Sequence, residues 1–270
     1  MDFEAIAPSF GSAGTGIKGI LKNEPGDGAG QRLPIAETLI VFCRYFNIDT
    51  TLVNENKINM PQKRIPLKPG YTYHIWTHAN GDDNLFRSEE NYNYFLNRYL
   101  HHVHLVVETY AYCLMPNHLH LMVKIRSEEE VLDFLREKKK DPTLQGFETL
   151  GGFSNIISRQ FSHLFNGYTQ AFNKKYNRKG SLFIPNFKRK IIDSDEYFVR
   201  LIAYIHNNPV HHGFTKNLND WPYSSWSAYV LDKITKVNKE EALALFGGIE
   251  NFTEIHRELN FEECITLFER

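Results

Sequence analysis

The sequence is poor in cysteine. Cys43, Cys113 and Cys264 are the three it has, spread over 270 residues, and this excludes a disulfide framework and any Cys-x-x-Cys pair for zinc or redox chemistry. Such usage suits a reducing compartment, so a cytoplasmic location is expected. Long apolar runs are also missing. The most hydrophobic stretch, Leu33 to Phe46, is interrupted by Glu37 and Arg44 and is shorter than the roughly 20 residues that cross a bilayer. No basic segment and small-residue cleavage site flank it as in a secretory signal; no membrane association is expected. Net charge is lacking too, with 31 Lys+Arg against 32 Asp+Glu. Spread evenly, that balance argues against a nucleic-acid binder, which shows a basic footprint.

What is present is an ordinary globular composition, 42% hydrophobic and 23% charged, in a chain long enough for one domain with additions. Glycines at 11, 14, 16, 19, 26, 28 and 30 leave no amphipathic period, so this stretch reads as a loop. It contains Gly14-x-Gly16-x-x-Gly19, but no strand precedes that match and no helix pattern follows it, so no dinucleotide site is assigned. A helix over 34–46 and a proline-punctuated stretch complete an N-terminal appendage, 1–69. Tyr71 to His78 then reads as a strand entering an Asn80-Gly81 turn. Ser88 with Glu89 and Glu90 starts a helix, and two alternating runs, Leu105 to Met115 and His118 to Ile125, form a hairpin around Pro116-Asn117. Glu128 to Lys140 reads as a charged helix and Pro142 to Gly152 as a connector. An acidic helical tail covers 231–270.

The charge is not spread evenly. Residues 151–190 contain no Asp or Glu but eight basic residues, Arg159, Lys174, Lys175, Arg178, Lys179, Lys188, Arg189 and Lys190, which leaves −9 for the rest of the chain. Phe172, Tyr176 and Phe183 are interleaved with them, a combination suited to backbone phosphates and base stacking. A solvated basic loop over core aromatics would give the same pattern.

Two constellations could carry chemistry. In the second hairpin strand, alternation puts His118 and His120 on one face, either as half of a metal site or as a polar pair on a half-exposed sheet. Further on, Asp193 and Ser194 are N-cap candidates for a helix with an apolar stripe at Phe198, Leu201, Ile202 and Ile205, which Pro209 is expected to end. Tyr204 and Asn208, four residues apart, share one flank of that helix. They face a common site or are an edge tyrosine and a C-terminal asparagine.

Met115-Pro116-Asn117-His118-Leu119-His120, then Tyr204-Ile205-His206-Asn207-Asn208-Pro209-Val210-His211-His212-Gly213, then Asp220-Trp221-Pro222-Tyr223-Ser224-Ser225 resemble the single-tyrosine HUH transposases, and among them the REP-associated tyrosine transposases. The resemblance covers roughly 70–230. It implies an α+β, ferredoxin-like HUH-endonuclease fold, a central antiparallel sheet flanked by helices. It also implies that His118, His120 and Asn208 hold Mg²⁺ or Mn²⁺, and that Tyr204 cuts single-stranded or hairpin DNA to leave a 5′-phosphotyrosine bond and a free 3′-hydroxyl. Lys174, Lys175, Arg178, Lys179, Lys188, Arg189 and Lys190 would then contact the DNA. The alternative is a domesticated hairpin-binding protein without transposition activity; hydrolysis by water, with Tyr204 structural, is a third. Tyr168, in the basic segment, is a rival nucleophile, and His206 competes with Asn208 for the metal. The sequence leaves a homodimer open.

Overall fold

The structure, a computed structural model, describes residues 65–137, 150–231 and 234–268. The glycine-rich loop, the helix expected over 34–46 and most of the expected connector at 142–152 lie outside them. Strands β1 (Thr72–His78), β2 (Val107–Leu114), β3 (His118–Ile125) and β4 (Lys188–Ile192) form one sheet in the order β2-β3-β1-β4, every neighbouring pair antiparallel. Helix α1 (Glu89–His102) links β1 to β2, and after α2 (Glu128–Glu137) the long α3 (Leu150–Lys175) leads to β4. This β-α-β-β-α-β path with that strand order is the ferredoxin-like arrangement. The expected α+β fold is therefore observed.

Side-chain alternation makes the two faces of the sheet different. Tyr73 and Ile75 of β1, with Leu119, Leu121 and Val123 of β3, point into a core shared with Phe95, Phe153, Phe161, Leu164 and Tyr168. The opposite face carries His74, Trp76 and His78 across from Met122, His120 and His118 in register. It is covered by α4 (Asp195–His211), followed by a 3₁₀ turn and α5 (Trp226–Val230). Three more helices, α6 (Lys239–Phe246), α7 (Ile249–Glu258) and α8 (Phe261–Phe268), join a second core with Tyr110, Met122, Leu201 and Ile205. The residues at 65–69 also pack on the sheet: Leu67 is buried and its N–H donates to Ser154 Oγ at 2.9 Å.

The basic, acid-free segment is helix and then loop: residues 151–175 belong to α3, whose Phe153, Ile156, Ile157, Phe161, Leu164, Tyr168 and Phe172 are buried at helical spacing, and 176–187 connect it to β4. Gly167 leaves the space in which the Arg98 guanidinium of α1 lies, which a Cβ there would displace. Pro209 does not end the site helix, which runs on to His211. The proline withholds the N–H that would bond the Ile205 carbonyl, but the turn beyond it is closed by the His212 N–H to the Asn208 carbonyl and the Phe214 N–H to the Pro209 carbonyl, each at 2.9 Å.

A chain of neutral histidines ties α7 to α4. His256 Nδ1 donates to the Phe252 carbonyl at 2.6 Å, so its Nε2 accepts from His206 Nδ1 at 2.9 Å, and His206 Nε2 accepts from Ser225 Oγ at 2.7 Å. Burial pushes His256 down to about 4 and His206 well below its usual value. Between that range and the unfolded value of about 6.5 the unfolded chain binds protons that the folded pair does not, so stability is full above about pH 6.5 and falls with pH below it. Denaturant unfolding at stepped pH should therefore lose less stability from pH 7 to pH 4 in His256→Gln than in wild type, the difference being up to about 3 kcal/mol. Parallel curves would contradict this assignment.

Candidate active site

Within the buried face, β3 brings His118 and His120 together with ring centroids 5.3 Å apart. Their shared face follows from alternation, and β1 frames them. His78 stacks on His118 at 4.9 Å, and His74 Nε2 lies 2.9 Å from His120 Nδ1. His212, just beyond α4, meets His118 edge-on at 5.0 Å. Burial, then the neighbouring His78 and His212, push His118 down to about 3, with Asn208 partly opposing. Burial, then His74 and His118, hold His120 well below its ordinary value. Both imidazoles are neutral near pH 7, the form that binds a metal.

Helix α4 supplies the other two expected residues. Ser194 caps it by accepting from the Tyr197 N–H at 3.2 Å, and the buried stripe of Phe198, Leu201, Ile202 and Ile205 seats it on the sheet. That register sets Tyr204 edge-on to His120 with centroids 5.7 Å apart. The histidines and the tyrosine belong to the same chain. Asn208 spends its amide N–H on the Tyr204 carbonyl. Its buried Oδ1 makes no well-formed hydrogen bond, although the amide is near enough to His118 to favour that ring's protonated form. His206 points the other way, to His256 and Ser225.

Tyr204 has no exposed surface. Phe261 stacks on it at 4.6 Å and Phe268 packs at 5.1 Å, both from α8. The same helix is fastened by Lys190, whose Nζ donates to the Leu267 carbonyl at 2.7 Å, and by Arg200 with Glu263 at 3.2 Å. The rival Tyr168 lies in the α3 core, where its hydroxyl donates to the Leu85 carbonyl at 2.5 Å and burial raises its pKa. It is not near the histidines' face of the sheet.

The basic residues are divided by the fold. Lys175 pairs with Glu90 and Arg178 with Asp83, each at 2.5 Å, so acids distant in sequence offset part of the positive stretch. Lys174, Lys179 and Lys188 are exposed. Strand β4 sends Lys188 over Trp76 and Lys190 over Tyr197, on the histidine face, and Arg189 over Phe187 on the other. The aromatics expected to stack on bases do not present themselves for it: Phe172 and Phe183 are core, and Tyr176 donates to Asn91 Oδ1 at 2.8 Å. A cleft of about 340 Å³, lined by Ser158, Asn166, Thr169 and Arg189, also lies on the α3 face, away from this chemistry.

A divalent cation suits the donor set. Asn117 Oδ1, 2.7 Å from His118 Nδ1, can only accept, so the hydrogen sits on Nδ1 and the lone pair on Nε2. Among the described residues no three His, Cys, Asp or Glu side chains form a metal-binding group. The third donor at hand is Asn208 Oδ1, an oxygen buried without another use. Two imidazoles and an amide oxygen leave positions for phosphate oxygens on Mg²⁺ or Mn²⁺. Sequence reasoning missed His74, His78 and His212; alternation in β1 carried the signal for the first two.

The fold and the site define a two-histidine, one-tyrosine arrangement on a ferredoxin-like sheet. No protein-family model matches the chain. A curated protein of Haemophilus influenzae (strain ATCC 51907 / DSM 11121 / KW20 / Rd), named "Putative REP-associated tyrosine transposase", is 26% identical over 126 residues. The match spans 46% of this chain and 61% of that relative. The chain is thus similar to a putative REP-associated tyrosine transposase over less than two thirds of that protein's length. A solved REP-associated tyrosine transposase bound to a REP hairpin is similar over 62% of this chain and 83% of its own, with 19% identity and a TM-score of 0.41. A bacterial tRNA(His) guanylyltransferase-like protein in complex with GTP is similar over 70% of this chain and 80% of its own, with 12% identity and a TM-score of 0.34.

No described helix is long and apolar enough to cross a membrane. Replacing Asn208 by leucine removes the buried Oδ1 and also the amide N–H bond to the Tyr204 carbonyl, so Asn208→Leu should lose about 1 kcal/mol of stability in thermal melts, the worth of that one bond. Isothermal titration should at the same time show weakened Mn²⁺ binding. Unchanged Mn²⁺ affinity would remove Asn208 from the donor set.

Proposed function

We propose that this chain is a transposase-like enzyme that cleaves and rejoins single-stranded or hairpin DNA through Tyr204, with Mg²⁺ or Mn²⁺ held by His118, His120 and Asn208. The observation that carries the reading is the convergence, on one buried sheet face, of two neutral histidines, a tyrosine ring 5.7 Å from one of them and an amide oxygen left without a well-formed bond. When bound, the metal would polarise the phosphate oxygens of the scissile group. The chain's own part is positional. Helix α4 holds the phenol beside the histidines, and Asn117 orients His118.

In cleavage the Tyr204 oxygen forms a bond to phosphorus, the P–O3′ bond breaks, and the 3′-oxygen leaves with a proton as a hydroxyl. Rejoining is the reverse, attack by a 3′-hydroxyl on the phosphotyrosine, and no external energy is consumed because one phosphodiester replaces another. On the histidine face a phosphate backbone would meet Lys188, and Lys190 once it releases the Leu267 carbonyl; the exposed Lys174 and Lys179, and Arg189 on the α3 face, would meet DNA only beyond that face. Lys175 and Arg178 would contribute only by exchanging their carboxylate partners for phosphate. Such an enzyme would act in the cytoplasm, where its DNA is.

A second reading is favoured by one observation, the complete burial of Tyr204 under Phe261 and Phe268. A hairpin-binding protein that no longer cuts could keep the phenol covered permanently. In the enzyme, α8 has to leave the ring before DNA can reach it.

One experiment separates them. Full-length protein is incubated with end-labelled single-stranded hairpin DNA and Mn²⁺, then denatured. The enzyme reading expects a protein-DNA adduct in wild type and none in Tyr204→Phe; an adduct that survives in Tyr204→Phe assigns the wrong nucleophile. Cleavage with no adduct in either protein means that water is the nucleophile. Binding with no cleavage in Mg²⁺ or Mn²⁺ establishes the binder. In the same assay, Lys174→Ala with Lys179→Ala should weaken DNA binding and lower the slope of log K against log salt by about 1 for each phosphate no longer neutralised.

A further inference from the structure

His74 belongs to neither expected constellation, yet it is wholly buried beside one of them. It lies one strand away from His120, diagonal to it across the β1–β3 pair, since Met122 is its direct register partner and Trp76 is opposite His120. Its ring stacks on Trp76 at 4.5 Å and lies nearly parallel to that of His120, with centroids 5.2 Å apart. Its Nε2 meets His120 Nδ1 at 2.9 Å. A hydrogen bond between two neutral imidazoles can run either way, and the direction decides which nitrogen of His120 keeps its lone pair.

The metal-site reading selects one direction. His120 Nδ1 is taken up by this contact, so Nε2 is the nitrogen it has left to face a metal. A lone pair on Nε2 puts the hydrogen of the neutral ring on Nδ1, so His120 Nδ1 donates and His74 Nε2 accepts. The lone pair of His120 is then on Nε2, the same nitrogen that Asn117 leaves available on His118. The two histidines reach the same tautomer through different partners.

We propose that His74 is a positioning residue: by accepting from His120 Nδ1 it fixes the orientation and tautomer in which His120 presents Nε2 to a divalent metal. The direction of the bond rests on the reading of His118, His120 and Asn208 as a metal site; the 2.9 Å contact itself does not. An outer partner of this kind typically changes metal affinity about 10-fold to 100-fold.

The test uses full-length protein with ¹⁵N-labelled histidine. Long-range ¹H–¹⁵N spectra without metal read the tautomer of each ring, and single variants assign the signals. The expected result is hydrogen on Nδ1 of His120 in wild type and in His74→Gln, whose amide oxygen can replace the accepting nitrogen. The Nδ1 form is expected to be lost in His74→Phe, which keeps the ring stack on Trp76 but cannot accept. Mn²⁺ titration followed by electron paramagnetic resonance should show about 10-fold to 100-fold weaker binding in His74→Phe and near wild-type binding in His74→Gln. Hydrogen on Nε2 of wild-type His120, or wild-type tautomer and Mn²⁺ affinity in His74→Phe, overturns the proposal. Wild-type protein whose Mn²⁺ binding is insensitive to His118→Ala overturns the metal-site reading instead, and the spectra still decide whether His74 sets the tautomer.

Discussion

Two-residue alternation in β1 and β3 is the constraint on which the molecule depends. It sends Tyr73, Ile75, Leu119, Leu121 and Val123 into one core and His74, His78, His118 and His120 to the opposite face. Because α4 covers that face, four imidazoles occupy ground that would otherwise be filled by aliphatic side chains. A one-residue slip of β3 would exchange the two sets, burying histidines among phenylalanines and turning leucines towards α4. Register is therefore strongly specified, and the site inherits its geometry from the sheet and not from loops.

Burial has a chemical consequence. Imidazoles removed from water stay neutral, and neutral rings need partners for their N–H groups. The fold provides them: Asn117 for His118, His74 for His120 in the direction proposed above, and, on the far side of α4, the Phe252 carbonyl for His256 and His256 for His206. One helix thus lies between two histidine networks. The first leaves lone pairs at the sheet face and has Asn208 Oδ1 beside it; the second closes on itself and fastens α7. Their difference explains why Asn208 and not His206 is the residue of α4 available to a ligand. Helix α8 adds a cover, with Phe261 and Phe268 against Tyr204, so chemistry at the phenol requires the last helix to be displaced.

Much of this is legible in the sequence. The hairpin, the pairing of His118 with His120 and the placement of Tyr204 and Asn208 on one flank of a helix follow from periods of 2 and 3.6. Helix α3 is masked by its lack of acids, which points to charge, while the spacing of Phe153, Ile157, Phe161, Leu164, Tyr168 and Phe172 is the stronger signal. Charge along the chain also misleads about charge in space: Asp83 and Glu90 return to meet Arg178 and Lys175, a pairing between residues about 90 positions apart that no local window contains. His74 is visible in principle, since His74-x-Trp76-x-His78 alternates as His118-x-His120 does. Its contact with His120 depends on strand order, and the cover by α8 depends on tertiary packing, neither of which a local pattern encodes.

The central claim is that the face bearing His118 and His120 is where a DNA strand is joined to this protein, and that Tyr204 supplies the attacking oxygen. Peptide mapping by mass spectrometry of the covalent product formed with hairpin DNA and Mn²⁺ tests it most directly. The account predicts a nucleotide-modified peptide in which the phosphate is on Tyr204. Modification at any other residue, Tyr168 included, would contradict it.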